Sequence, residues 1–127
     1  MIEVCVAGKP KILIVDDEPG IRSLLKYEFS RHGCEIAVAE NADQALELLQ
    51  GNSFDVIITD IRMPGSMDGI DLIDSHRKEH PSQKVIFMTG YAVEEKLAAA
   101  LQNPLNFCFK KPFDISELTT SALQLIS

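Results

Sequence analysis

The chain has 127 residues, a formal net charge of −7 and 46% hydrophobic residues. This length suits one domain with a workable core, and no apolar run approaches the roughly 18 residues that a membrane span needs. The acidic excess would repel nucleic-acid phosphates, and residues 1–10 lack the basic start of a secretory signal. We therefore expect a cytoplasmic protein that binds neither nucleic acid nor membrane, with an N-terminal extension over residues 1–10 and one domain over residues 11–127.

From Lys11 onward, short β-branched apolar runs alternate five times with longer segments of helical spacing. This alternation is typical of a parallel α/β sheet. The first and third runs are nearly continuous in hydrophobic residues, which predicts central strands covered by helices on both faces. The predicted strands span residues 11–16, 34–39, 54–60, 84–89 and 106–109.

The segments between the strands carry helix start and stop signals. Pro19 suits the first turn of the first helix. Asn41 can cap the second helix with Gln44 three residues on, and Gly51 ends it; Asp114 can cap the last. The predicted buried stripe of the first helix is Ile21, Leu24, Leu25 and Phe29. The other predicted helices span residues 69–79, 93–102 and 115–126, and the first spans residues 19–31.

Five βα units joined by right-handed crossovers give a doubly wound sheet, most simply with the flavodoxin-like strand order 2-1-3-4-5 and five helices. In this fold ligands bind at the carboxyl ends of the strands. The first strand ends in Asp16 and Asp17, the third in Asp60, the fourth in Thr89, and Lys111 follows the fifth. One such aspartate alone is commonly a turn or a helix cap. Their joint occurrence at four strand ends predicts a functional site.

Two carboxylates roughly 4 Å apart repel by about 4 kcal/mol at an effective dielectric near 20. A cation is therefore expected among Asp16, Asp17 and Asp60, and hard oxygen ligands without His or Cys favour Mg²⁺ over zinc or copper. Lys111 supplies a second positive charge, whereas Lys110 points to the opposite face because adjacent strand residues alternate. Carboxylates, a divalent ion, a lysine and a hydroxyl are what phosphoryl transfer requires, and a carboxylate can be the nucleophile.

At these positions the sequence closely resembles the receiver domains of response regulators in two-component phosphorelay signalling. The resemblance covers residues 11–126 and is specific, because four ordered motifs stand at four strand ends. The motifs are IVDDE at residues 14–18, DIRMPG at residues 60–65, MTG at residues 88–90 and KPFD at residues 111–114.

The resemblance implies a role for each matching residue. Asp60 would accept a phosphoryl group, Thr89 would donate its hydroxyl to a phosphoryl oxygen, and Lys111 would pair with the carboxylate of Asp60. The Lys111–Pro112 peptide bond would be cis. The implied Mg²⁺ ligands are Asp16, Asp17, Asp60 and the backbone carbonyl of Arg62.

The same resemblance implies the partners. The phosphodonor would be a sensor histidine kinase or a histidine phosphotransfer protein, and phosphorylation would switch the binding of a downstream protein partner. The domain would not be an enzyme beyond catalysing its own phosphorylation and dephosphorylation.

Two positions depart from the family pattern. The family usually has an aromatic residue three positions before the lysine, where this chain has Cys108, with Phe107 and Phe109 on either side. In the family, rotation of this aromatic side chain accompanies movement of the hydroxyl residue after phosphorylation, and Cys108 puts that response in question. The chemistry at Asp60 would be unaffected. The loop over residues 63–69 has one residue more than is common, from which we expect altered partner contacts and unimpaired folding.

Three alternatives remain open at this point. A binding module of the same fold that no longer switches would explain Cys108. A phosphohydrolase of the haloacid-dehalogenase-like class would need a second aspartate two residues after Asp60, where this chain has Arg62. A flavin carrier is compatible with the fold alone. Glu18, the spare acid of the first cluster, is expected to favour the positive end of the first helix rather than to bind metal.

Overall fold

The strands and helices follow one another in the predicted order. The computed structural model describes residues 9–90 and 95–126. Residues 1–8 of the predicted extension, the predicted start of the fourth helix at residues 93–94, and residue 127 lie outside the described residues. The elements are β1 (Lys11–Val15), α1 (Pro19–Arg31), β2 (Glu35–Ala39), α2 (Ala42–Leu49), β3 (Val56–Asp60), α3 (Gly69–Arg77), β4 (Lys84–Thr89), α4 (Glu95–Ala100), β5 (Asn106–Lys110) and α5 (Ile115–Ile126).

All five strands form one parallel sheet in the order β2-β1-β3-β4-β5, which confirms the predicted flavodoxin-like topology. Every residue of β3 is buried, and so are four of the five residues of β1. The edge strands β2 and β5 are only partly buried. This pattern is that of a sheet covered on both faces, so the central strands hold their carboxyl ends rigidly. Among the described residues, no helix has the length and apolar character needed to cross a membrane.

Alternate residues of each central strand enter two separate cores, as the pleat requires. Leu13, Ile57 and Phe87 face the cluster formed with α2, α3 and α4. Ile14 and Ile58 face the cluster formed with α1 and α5. The sheet therefore lies between two apolar layers, and side-chain packing fixes its position relative to all five helices.

One predicted detail of the helices is wrong and another is confirmed. Leu24 is 45% exposed, so its place in the buried stripe of α1 was wrong; Leu25 and Phe29 alone are fully buried there. These two stand one helical turn apart, and Leu24 is rotated by about 100° from Leu25 and by about 140° from Phe29. The predicted cap of α2 is present, since Asn41 Oδ1 accepts from the backbone N–H of Gln44 at 2.9 Å.

Candidate functional site

The carboxyl ends of the strands bring the predicted site residues to one edge of the sheet. Asp60 is the last residue of β3 and Thr89 the last of β4, while Asp16 and Lys111 directly follow β1 and β5. Backbone hydrogen bonds extend the sheet ladder into this edge, from Lys111 N–H to the Thr89 carbonyl at 2.7 Å and from Asp16 N–H to the Ala39 carbonyl at 3.1 Å. The main chain of the site is thus fixed by the sheet.

Asp16, Asp17 and Asp60 form a group of carboxylates that can hold a cation. One oxygen from each lies within 4.8 Å of the others, and in the described ranges no other group of three or more His, Cys, Asp or Glu residues does so. Asp16 and Asp60 are buried and Asp17 is exposed, so the group is anchored inside and open to solvent on one side. Hard oxygen donors with excess negative charge are the ligand set that Mg²⁺ prefers, and these residues fit it.

Lys111 brings a positive charge into the group. Its Nζ donates hydrogen bonds to Glu18 Oε1 at 2.8 Å, to Asp16 Oδ2 at 2.9 Å and to Asp60 Oδ2 at 3.2 Å. Lys110, the neighbouring lysine, is exposed. The four carboxylates of Asp16, Asp17, Glu18 and Asp60 outnumber the two cations, Lys111 and Arg62, so the site keeps an excess of negative charge.

Burial and this excess of negative charge shift the pKa values of the site. Burial, followed by the charge of Asp16, raises the pKa of Asp60 from 3.8 to about 6, with Lys111 opposing the shift. Burial likewise raises the pKa of Asp16, against its hydrogen bond from Lys111. Burial alone would lower the pKa of Lys111, but hydrogen bonds to Glu18 and Asp16 raise it above its ordinary value. Without a further cation, Asp16 and Asp60 therefore hold protons more tightly than an ordinary aspartate.

The space above the carboxylates is an open cleft of about 380 Å³. Its lining residues are Asp17, Glu18, Asp60, Arg62, Gly90 and Lys111. Thr89 is buried at the end of β4 and lines a neighbouring cavity of about 310 Å³ together with Met63 and Leu97. The cleft is therefore bordered by Asp60, by Lys111 and by Gly90, which directly follows Thr89. It can admit a small anion.

The N-terminus of α3 packs directly against the main chain of Asp60. A Cβ added to Gly69 would lie 2.2 Å from the Asp60 carbonyl oxygen, and the Gly69 N–H donates to the Ile61 carbonyl at 2.8 Å. Asp68 and Asp71 form a capping box just beside it, and Lys96 from α4 donates to both carboxylates at 2.8 Å. Sequence reasoning did not identify this close approach, although a glycine directly after an acidic cap is the signal for it.

Glu18 makes a contact that the sequence interpretation did not predict. It is the N-cap residue of α1, but its side chain makes no capping hydrogen bond and instead accepts from Lys111. It is also not a member of the carboxylate group that can hold a cation. The contact with Lys111 was not predicted from the sequence.

Cys108 stands half-buried in β5, opposite Phe87 of β4, and packs against the core on the side of α4. Phe109 packs on the other side of the sheet, and Phe107 is 40% exposed. Neither neighbouring aromatic residue takes the place that Cys108 occupies. The Lys111–Pro112 peptide bond is cis, as the resemblance implied.

A five-stranded parallel sheet in this order, with carboxylates and a lysine at its carboxyl edge, defines a flavodoxin-like α/β protein with an acidic site that could hold a cation. The sequence pattern of the response regulator receiver domain matches residues 12–123, and the chain belongs to that family. It is a receiver domain of two-component signalling, as its sequence predicted.

Known proteins similar to the chain agree with this assignment. It is 41% identical over 120 residues to the regulatory protein AtoC of Escherichia coli, and this alignment covers 92% of the chain and 26% of AtoC. It is 36% identical over 108 residues to sporulation initiation phosphotransferase F of Bacillus subtilis, covering 85% of the chain and 86% of that protein. The chain thus spans about a quarter of the length of AtoC.

Among solved structures, the chain is similar to the response regulator protein TrrA from Thermotoga maritima in complex with Mg²⁺-BeF. The TM-score is 0.77 at 35% sequence identity, and the match covers 91% of this chain and 98% of TrrA. Both the fold and the sequence therefore relate the chain to response regulators.

Proposed function

We propose that Asp60 accepts a phosphoryl group from a sensor histidine kinase or a histidine phosphotransfer protein in a Mg²⁺-dependent reaction. The observation that carries this proposal is the placement of Asp60 in a group of three carboxylates within 4.8 Å, with Lys111 Nζ 3.2 Å from its Oδ2. The mutual repulsion of these carboxylates favours a bound cation, and that cation together with Lys111 would neutralise charge on an incoming phosphoryl group. Phosphorylation then switches the binding of a downstream protein partner.

The nucleophile in this proposal is a carboxylate oxygen of Asp60. It attacks phosphorus, the bond from phosphorus to the donor nitrogen or oxygen breaks, and the leaving group keeps the electron pair. The attacking form is the ionised carboxylate, and the raised pKa of Asp60, about 6, still leaves that form in excess at neutral pH. Burial of Asp60 limits its hydration, which favours attack.

Asp16, Asp17 and Asp60 would hold Mg²⁺, together with the backbone carbonyl of Arg62 that the family resemblance implies. A bound divalent ion supplies charge neutralisation at the phosphoryl oxygens. The complex of TrrA with Mg²⁺-BeF supports this proposal by similarity. The exposed position of Asp17 gives the ion a route from solvent.

Lys111 and Thr89 would contact the phosphoryl oxygens. Lys111 is tied to the site by three carboxylates, so its ammonium is already oriented toward Asp60. Thr89 ends β4 in a buried position, and its hydroxyl would donate to one oxygen. These roles make the domain a catalyst of its own phosphorylation and dephosphorylation and of no further reaction. In the same proposal it works in the cytoplasm as one domain over residues 11–127.

The sharpest test is phosphorylation by a small acyl phosphate. Acetyl phosphate and Mg²⁺ should add one phosphoryl group to the wild-type protein, as measured by intact mass. Asp60→Asn should take none, and Asp74→Asn, which changes an exposed aspartate of α3, should be labelled like wild type. Labelling that persists in Asp60→Asn would overturn the site, and repeated turnover of a phosphate ester would identify an enzyme instead.

A second experiment separates the switch from a binding module that no longer switches, an alternative favoured by Cys108 in the place of an aromatic residue. Beryllofluoride and Mg²⁺ should shift the amide NMR signals of Thr89 and of residues 95–100 in the wild-type protein. Unchanged signals at these residues, with changes confined to the neighbours of Asp60, would support the non-switching module.

A further inference from the structure

The side chain of Glu18 is turned away from the helix that it begins and toward Lys111. Its Oε1 accepts from Lys111 Nζ at 2.8 Å, the shortest of the three contacts that this ammonium makes with carboxylates. A side-chain cap does not account for this direction, because the side chain makes no capping hydrogen bond with α1. The contact with Lys111 is the interaction that orients it.

The two other carboxylates that contact Lys111, those of Asp16 and Asp60, can also hold a cation, whereas Glu18 is not a member of the cation-holding group. Asp16 and Asp60 belong with Asp17 to the group whose oxygens lie within 4.8 Å of one another. When a divalent cation engages these oxygens, Lys111 loses attraction to them and is repelled by the added charge. Glu18 is then the one of the three carboxylates bonded to Lys111 that is not engaged by the cation.

We propose that Glu18 is a positioning residue for Lys111, which it holds at the mouth of the site while Asp16 and Asp60 are engaged by the cation. This inference rests on the proposed function, because a held Lys111 stays within reach of a phosphoryl group on Asp60. Glu18 makes no hydrogen bond with the acceptor Asp60 and would act on the transferred group through Lys111. The side chain of Glu18 is 59% exposed and that of Lys111 16%, so the pair contributes little to folding stability and its effect lies in where Nζ is held.

Side-chain NMR of Lys111 tests the positioning directly. Wild type, Glu18→Gln and Glu40→Gln are labelled with ¹³C at the lysine Cε, and a Lys111→Met protein identifies the signal. Glu40 is the matched control, since its side chain is also 59% exposed and its ion pair is with Arg22. On addition of saturating Mg²⁺, Lys111 of wild type and of Glu40→Gln should keep a dispersed signal. In Glu18→Gln it should move to the shift of a free lysine.

The rate of phosphorylation by acetyl phosphate at saturating Mg²⁺ gives the second readout. The maximal rate of Glu18→Gln should fall about two- to fivefold, as expected for loss of one partly exposed charge-assisted contact, while the half-saturating concentration matches that of Glu40→Gln. If wild type is labelled at Asp60 but Glu18→Gln equals Glu40→Gln in both signal and rate, the inference is overturned and the proposed function stands. A wild-type protein that takes no phosphoryl group overturns both.

Discussion

Replacing Asp60 by Asn should stabilise the metal-free protein at neutral pH. Burial, joined by the charge of Asp16, raises the pKa of Asp60 from 3.8 to about 6. Because the folded-state pKa is the higher one, the stability that this group contributes is fully present below about pH 4. It is lost as the pH rises through about 6. At 1.36 kcal/mol for each pKa unit, the loss amounts to about 3 kcal/mol once both states are ionised.

Urea unfolding in the presence of EDTA, between pH 4 and pH 7.5, measures this effect. The stability of Asp60→Asn relative to wild type should rise by about 2 to 3 kcal/mol over this range, because asparagine does not titrate. Asp74→Asn removes an exposed carboxylate and should show no such rise. A constant difference between Asp60→Asn and wild type across the range would refute the reasoning, and so would a variant that is less stable than wild type at pH 7.5.

Three further results are expected. Gly69→Ala should cost about 2 kcal/mol or more in urea unfolding, since its Cβ would lie 2.2 Å from the Asp60 carbonyl oxygen and a backbone atom cannot easily yield; a variant as stable as wild type would contradict the close packing. Mg²⁺ at about a hundred times its Kd should raise stability by about 2.7 kcal/mol and hence raise Tm, and an equal rise in Asp17→Asn would argue against the carboxylate group as the site. Phe29→Ala should lose about 3 to 5 kcal/mol, because Phe29 is fully buried between α1 and the sheet; a loss under about 1 kcal/mol would show that the core at this point is not closely packed.

The strands of the sheet could be predicted from the sequence because the hydrophobic pattern of each strand reflects its own burial. Central strands covered on both faces need continuous apolar runs, and residues 12–15 and 56–58 have them. Right-handed crossovers limit the possible strand orders, and the order β2-β1-β3-β4-β5 places β1 and β3, which have the most continuous apolar runs, inside the sheet. Strand and helix ends were less accessible, because they depend on individual hydrogen bonds. The predicted third strand began two residues before Val56. At its start, Asp55 bonds to Lys11 twice: its backbone N–H donates to the Lys11 carbonyl, and its side chain accepts from the Lys11 N–H.

The site was partly readable for the same reason. Asp16, Asp60 and Thr89 stand at strand ends, and a parallel sheet brings strand ends together whatever the side chains do. The contact between Glu18 and Lys111 joins residues 93 positions apart and depends on the direction of one exposed side chain, which no sequence pattern encodes. The pairing of Lys96 with the cap of α3 likewise depends on how α4 packs beside α3.

The most direct test of the central claim is to locate the phosphoryl group among the neighbouring carboxylates. Protein treated with acetyl phosphate, with Mg²⁺ or with EDTA, is reduced with borohydride to trap the acyl phosphate and is then analysed by peptide mass spectrometry. The account predicts a modified Asp60 in the Mg²⁺ sample and none with EDTA. Modification at Asp16, Asp17 or Glu18, or equal modification of Asp60 in both samples, would contradict it.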